Sequence, residues 1–173
     1  AGIQTAPLAK IEKSSAEWTR LIGLIRPAFE KAEEDHRHPL SPDALAKAEF
    51  SVECLVRGTP GPDGRTVAYF EVERDYAKTG QLPARSEFSR SFMTGWIAMD
   101  RTGAPAFIEK NFRNKSDTDD MIIGRLNPLG TAVIGGKNLW IVQFRGYEGE
   151  SYSVLHVTPT EIKKFIVSSG GGC

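Results

Sequence analysis

Residues 88–99 read FSRSFMTGWIAM, and the four residues after them read DRTG. A β-strand points alternate side chains to opposite faces, so this stretch has two faces of different character. The bulkier face, which also carries charge, consists of Phe88, Arg90, Phe92, Thr94 and Trp96. The other face, which is small and partly apolar and suits a position under a helix, consists of Ser89, Ser91, Met93, Gly95 and Ile97. The stretch therefore predicts a long strand, and Asp100-Arg101-Thr102-Gly103 predicts a turn after it.

The segments on both sides of this strand predict an antiparallel sheet. Residues 50–56 and 65–74 alternate in polarity around a Pro- and Gly-rich turn, and residues 106–112 pair back on the long strand. Residues 139–144 and 152–157 form a further hairpin. We therefore expect one sheet of about five to eight strands, with one face curved into a cleft or half-barrel. Because short parallel crossovers are absent, a doubly wound nucleotide-binding fold is disfavoured.

Helices are expected at both ends of the sheet. Ser14, followed three residues later by Glu17, predicts an N-terminal helix with a capping box, and Pro27 is expected to kink or restart it. Residues 41–43 start a short second helix, and residues 158–161, TPTE, predict a C-terminal helix. The apolar stripe of the N-terminal helix consists of Trp18, Leu21, Ile22, Ile25 and Phe29. The predicted class is α+β, with the two terminal helices covering one face of the sheet.

Length and composition are typical of one globular domain. The chain has 173 residues, of which 40% are apolar and 25% charged. We expect an extended segment at 1–13, a single α+β domain at 14–167 and a flexible Ser/Gly tail at 168–173. The 22 basic and 22 acidic residues cancel, which disfavours non-specific nucleic-acid binding. No apolar run approaches the roughly 18 residues of a membrane span.

The chain begins with Ala1-Gly2-Ile3. Processing of an exported protein, trimming of a longer chain and removal of Met before a small residue all leave such a start, and we expect an extracytoplasmic (periplasmic, secreted or organellar) location. Cys54 lies in a predicted strand, which favours a buried free thiol. A bridge between Cys54 and Cys173 stays open as the alternative.

The histidines and acidic residues do not form a recognisable metal motif. His36 and His38 alternate along an extended segment, but no rigid element fixes them in the geometry of a zinc site. Asp117, Asp119 and Asp120 do not have the spacing of a calcium loop in either register. We expect no metal and no cofactor.

The face that includes Arg90 and Trp96 is predicted to be concave, partly open and used for binding. Trp96 is its expected aromatic anchor, and Arg145 and Tyr147 from the last hairpin are expected beside it. The alternative is that these aromatic side chains are simply core, because half-buried sheets use the same residue types there.

The turn Asp100-Arg101-Thr102-Gly103, in a helix-then-antiparallel-sheet order, is similar to extracytoplasmic ligand-sensing modules of the PAS-like type. The resemblance covers only the stretch around this turn and implies no functional residue. Because no reaction motif fits, we expect a non-catalytic binding or accessory module that recognises a partner protein or a small ligand.

The alternative function is a small α+β enzyme that uses His156, Glu71 or Glu73 for acid–base chemistry in an apolar pocket. An enclosed cleft beside one of these side chains favours the enzyme. A flatter apolar patch favours the binding module.

Overall fold

The computed structural model describes residues 4–36, 42–61, 63–76, 89–115, 125–146 and 149–169. Within these ranges the helices are α1 (Ala16–Asp35) and α2 (Pro42–Lys47). The strands are β1 (Gln4–Ala6), β2 (Ala9–Lys10), β3 (Phe50–Arg57), β4 (Thr66–Asp75), β5 (Arg90–Met99), β6 (Pro105–Lys115), β7 (Arg125–Ile134), β8 (Lys137–Gly146), β9 (Gly149–Val157) and β10 (Ile162–Ser169).

The described strands form two antiparallel sheets of five strands each, so the prediction of a single sheet of five to eight strands is wrong. The central sheet has the order β2-β3-β4-β5-β6, and the outer sheet has the order β1-β7-β8-β9-β10. One apolar cluster joins α1 to the central sheet, and a second cluster joins the central sheet to the outer sheet. The fold is therefore broadly α+β, as predicted, with the central sheet between a helix and a second sheet.

Helix α1 packs on the central sheet through the predicted apolar stripe. Leu21, Ile25 and Phe29 are fully buried, while Trp18 and Ile22 pack at the edge of the same cluster. The helix begins one residue later than predicted, because Ser15 rather than Ser14 is the N-cap and accepts a hydrogen bond from the Trp18 N–H (3.0 Å). The helical segment runs on through Pro27 to Asp35 without a restart.

The side chains of strand β5 point alternately into the two apolar clusters. Met93 and Ile97 lie in the cluster under α1, whereas Trp96 lies in the cluster between the sheets. The strand ends at the predicted turn, where the Asp100 carboxylate accepts hydrogen bonds from the N–H groups of Thr102 (2.8 Å) and Ala104 (2.9 Å). These hydrogen bonds, together with one from the Thr102 hydroxyl, lower the pKa of Asp100.

A β-bulge in β3 breaks the alternation that the sequence predicts there. The pairing of β3 with β4 shifts register between Val52 and Cys54. Phe50 and Val52 consequently pack on the α1 side, whereas Cys54 and Val56 pack on the side of the outer sheet. The alternation predicted over residues 50–56, which would place these four side chains on one face, is therefore interrupted at the bulge.

The predicted C-terminal helix is also wrong, because these residues form a turn and a strand. The Thr158 hydroxyl accepts a hydrogen bond from the Glu161 N–H (3.1 Å), and Thr158 N–H bonds back to the Glu161 carbonyl (2.9 Å). The chain then continues as β10, which pairs antiparallel with β9. A capping motif therefore closes a tight turn here, and the β-branched residues after it suit a strand that is paired along its length.

Candidate functional site

The interface of the two sheets contains a cleft of about 510 Å³. The central sheet contributes one wall from β4, β5 and β6, and the outer sheet contributes the other from β7, β8 and β10. We call this space the inter-sheet cleft, and its lining consists of Tyr69, Glu71, Phe92, Thr94, Gly95, Trp96, Glu109, Asn111, Arg113, Leu126, Phe144 and Lys164. An adjoining cavity of about 530 Å³ shares Trp96, Glu109, Leu126, Phe144 and Lys164 with it.

The floor of the cleft is aromatic. Trp96 is only 5% exposed and stacks at a tilt on Tyr69, with ring centroids 4.9 Å apart. It also meets Trp140 of the outer sheet edge-on, again at 4.9 Å. Phe92 lies four residues before Trp96 on the same face of β5, and it is buried as well. Rings fixed in this way offer a rigid apolar surface to a flat ligand.

A buried carboxylate lies on this aromatic floor. Glu71 is 6% exposed, and its Oε1 accepts a hydrogen bond from the Tyr69 hydroxyl at 2.7 Å. Burial and the neighbouring Glu71 carboxylate raise the pKa of Tyr69, so its hydroxyl stays protonated and remains a donor. The pair gives the otherwise apolar floor a polar group that can orient a ligand.

The rim of the cleft is polar and accessible. Glu109, Asn111 and Arg113 alternate along β6 and line one side. Lys164 of β10 and Phe144 of β8 line the opposite side, and Phe144 is 46% exposed. The cleft thus combines an aromatic floor, which carries one carboxylate, with polar and charged side chains at its mouth, so polar groups make up about half of its lining.

Of the four residues singled out to bind a ligand or partner, Trp96 lines the cleft, together with Phe92 and Thr94 of the same strand face. Trp96 is only 5% exposed and packs edge-on against Trp140, so it belongs both to the cleft floor and to the packing between the sheets. Arg90 forms an ion pair with Asp75 (3.6 Å), and Arg145 donates a hydrogen bond to Gln143 (3.1 Å), both outside the cleft lining. Tyr147 and Phe88 lie outside the described residues.

The candidate acid–base residues are not brought together. Glu71 lines the inter-sheet cleft, while Glu73 forms an ion pair with Arg125 (3.6 Å) and does not line it. His156 lines a different cavity of about 300 Å³, beside Trp140 and Thr158. A catalytic site that combines His156 with either glutamate is therefore not present in the described structure.

The metal and cysteine predictions concern residues away from the cleft. His36 caps the end of α1, where its Nδ1 lies 2.8 Å from the Ala32 carbonyl oxygen, and His38 and residues 117–120 lie outside the described residues. In the described ranges, no group of three or more His, Cys, Asp or Glu side chains is placed to hold a metal ion. Cys54 is a free thiol and partly buried, and Cys173 lies outside the described residues.

Sequence reasoning missed the rim residues Glu109, Arg113, Phe144 and Lys164. Arg113 and Glu109 alternate on a predicted strand, so their shared face was readable from the sequence. Lys164 was assigned to a helix that does not exist, and its place opposite β6 depends on the pairing of β10 with β9. No local signal in the sequence predicts that long-range placement.

Comparisons with protein-family models, with curated proteins and with solved structures gave no significant match. Neither α1 nor α2, the helices of the described residues, combines the length and apolar content that crossing a membrane requires.

Proposed function

We propose that this protein is a non-catalytic binding module and that its ligand is a small molecule held in the inter-sheet cleft. The observation that carries the proposal is the aromatic floor made by Tyr69, Phe92 and Trp96 in a cleft of about 510 Å³. Volumes of roughly 300–1,000 Å³ with mostly apolar walls and a few polar groups are typical of sites for small ligands. Between the two expected kinds of target, a concave cleft favours a small molecule over a protein surface.

The described geometry supports a preformed site. The rings of Trp96, Tyr69 and Trp140 hold one another in place, so little side-chain order has to be created on binding. A side chain at Gly95 would point away from the cleft, towards α1, where its Cβ would lie 2.4 Å from the Glu109 carbonyl oxygen and 2.7 Å from the Phe70 ring. A substitution at Thr94, which lines the cleft, should therefore disturb the fold less than a substitution at Gly95.

The test uses N-phenyl-1-naphthylamine, a neutral aromatic probe whose emission rises in apolar surroundings. We expect saturable binding at one site, with energy transfer from the tryptophans that line or adjoin the cleft. Thr94→Trp fills the cleft and should abolish the signal, whereas the matched Thr94→Ser variant leaves the cleft open and should bind as the wild type does. Far-UV circular dichroism establishes that both variants are folded. No binding to the wild type, or equal binding to both variants, contradicts the proposal.

A second candidate is an enzyme in which Glu71 acts as a general base or acid. The observation in its favour is the placement of this buried carboxylate on the cleft floor, hydrogen-bonded to Tyr69. Glu71→Gln separates the candidates, because the isosteric amide should leave probe binding nearly unchanged. If the wild type converts a molecule that co-purifies in the cleft and Glu71→Gln binds it without converting it, the enzyme is supported and the non-catalytic module is wrong.

A further inference from the structure

The mouth of the inter-sheet cleft carries two cations on opposite walls. Arg113 projects from β6 of the central sheet and Lys164 from β10 of the outer sheet. In the described part of the chain, neither side chain has a carboxylate oxygen within 4.0 Å; the one side-chain hydrogen bond of Arg113 goes to Asn111, at 3.4 Å. The lining also holds the carboxylates of Glu71 on the floor and Glu109 on the rim, so an anion is favoured only where it lies closer to one of the two cations than to these groups.

Two cations that lie near the cleft but outside its lining, Lys163 and Arg125, are paired with carboxylates. Lys163, the residue before Lys164, lies 2.8 Å from a Glu161 carboxylate oxygen. Arg125, at the start of β7, lies 3.6 Å from Glu73. The difference follows from the strand geometry, because Lys164 pairs in register with Leu155, a residue of the inter-sheet cluster, while Lys163 pairs with His156.

Glu109 sets the direction in which a ligand lies. It is four residues from Arg113 on the same strand, which separates the two side chains by roughly 13 Å along β6. Glu109 and Lys164 both line the adjoining cavity as well, whereas Arg113 lines the inter-sheet cleft alone. A negative group is therefore favoured at the Arg113 end, with the rest of the ligand on the aromatic floor.

We propose that the ligand of the inter-sheet cleft is an amphipathic organic anion, with a flat apolar body on Phe92 and Trp96 and one carboxylate, sulfonate or phosphate group at Arg113. This inference rests on the proposed function, since it names the chemical class of the ligand at the same site. Charge-assisted hydrogen bonds from Arg113 hold the negative group, Lys164 on the opposite wall adds attraction at longer range, and the aromatic floor holds the apolar body.

The experiment compares two probes with nearly the same aromatic body. 8-Anilinonaphthalene-1-sulfonate carries the negative group, and N-phenyl-1-naphthylamine lacks it. We expect the sulfonate to bind the wild type about threefold to tenfold more tightly at low salt, with the difference shrinking as salt is added. If neither probe binds, the cleft function itself fails. If both bind equally well, the cleft function stands and the anion inference is wrong.

Charge-reversal variants test whether the preference for the sulfonate arises from the two cations that line the cleft. Lys164→Glu should weaken binding of the sulfonate about threefold to tenfold more than it weakens binding of the neutral probe, because attraction of the negative group is replaced by repulsion. Lys163→Glu is the matched control, since it makes the same charge change one residue away outside the cleft lining. Arg113→Glu and its control Lys110→Glu form a second pair on β6, and Lys164→Gln gives a milder change. Equal losses in a variant and its control contradict the assignment to the cleft.

Discussion

The two faces of the central sheet are closed in different ways. On one face, α1 packs over Phe70, Met93 and Ile97 and leaves them fully buried. On the other face, the outer sheet covers Tyr69 and Trp96 but leaves the inter-sheet cleft beside them. The same strands, β4 and β5, thus contribute to a sealed core on one side and to an incompletely filled interface on the other.

The buried glutamates on the two faces of the central sheet also have different surroundings. Under α1, Glu33 accepts a hydrogen bond from Arg74 at 2.7 Å and another from the Tyr76 hydroxyl, which also lies 2.6 Å from Ser91 Oγ. This network ties the end of α1 to β4 and β5. In the cleft, Glu71 accepts from Tyr69 beside an open volume. A charge enclosed in a network anchors the fold, whereas a charge that borders a cleft is placed to meet a ligand.

The largest effect is expected from removing a ring under α1. Phe29 is fully buried and meets Phe50 and Phe112 edge-on at 5.4 and 5.6 Å. Phe29→Ala should lower the free energy of unfolding by about 3–5 kcal/mol. Phe144→Ala, at the half-exposed rim, is the control and should lower it by less than about 1 kcal/mol. Urea denaturation measures both, and a similar loss in the two variants means that the cleft is closed in solution.

Breaking the charge network should have a slightly smaller effect. Arg74→Met leaves Glu33 buried without its cation and should cost about 3 kcal/mol at pH 7. Lys31→Met is the control, because it breaks the exposed pair with Asp35 and should cost less than about 1 kcal/mol. Equal losses in the two variants contradict the contrast between the enclosed network and the exposed pair.

The Arg74→Met defect should depend on pH in a defined direction. Burial raises the pKa of Glu33 in the folded protein above its ordinary value of 4.5, and the loss of Arg74 raises it further. The folded state therefore holds the proton more tightly than the unfolded chain, so stability falls as pH rises through the raised pKa. The difference in melting temperature between wild type and Arg74→Met should consequently shrink from pH 7 to pH 5. A difference that grows towards pH 5 contradicts the raised pKa.

The contrast between the two faces was partly predictable from the sequence. The helical stripe of α1 and the small, apolar face of β5 follow from local periodicity, which is why Met93 and Ile97 were correctly placed on the face that suits a helix. The residues of the opposite face follow from the same alternation. The sequence does not predict which element covers that opposite face. No local pattern shows that the chain after β6 forms a second sheet.

The errors share a physical cause, which is that tertiary pairing overrides a local motif. Thr158, Pro159 and Glu161 match a helix start, yet the pairing of β10 with β9 decides the structure after them. The β-bulge after Val52 likewise changes which side chains of β3 face α1. No glycine in β3 marks its position in the sequence. Because Lys164 lies on β10, the cleft could not be assembled from the sequence even though Trp96 and Glu71 had been singled out.

On the cleft side, the chemical reactivity of Cys54 should be low. Burial and the nearby Glu71 carboxylate raise the pKa of its thiol from 9.0 to about 11. At pH 8 the reactive thiolate is then about a hundredfold scarcer than for an ordinary thiol. In a Cys173→Ser background, the alkylation rate with iodoacetamide should keep rising through pH 10. A rate that is half-maximal near pH 9 and levels off by about pH 10, as for a thiol with the ordinary pKa of 9.0, contradicts this.

The smallest expected effect uses Cys54 to report the charge on the cleft floor. Glu71 raises the pKa of Cys54 only if its carboxylate is ionised, because a neutral acid exerts no Coulomb repulsion on a thiolate. Glu71→Gln should therefore lower the pKa of Cys54 by a few tenths of a unit and speed its alkylation at pH 8 about twofold. Glu53→Gln is the matched control: it removes the same charge from the residue next to Cys54, whose exposed side chain bonds to Ser51, and should leave the rate nearly unchanged. Unchanged alkylation in Glu71→Gln means that Glu71 is protonated in the folded protein. The floor then offers a ligand a hydrogen-bond donor, and the anionic ligand proposed for the cleft meets no negative charge there.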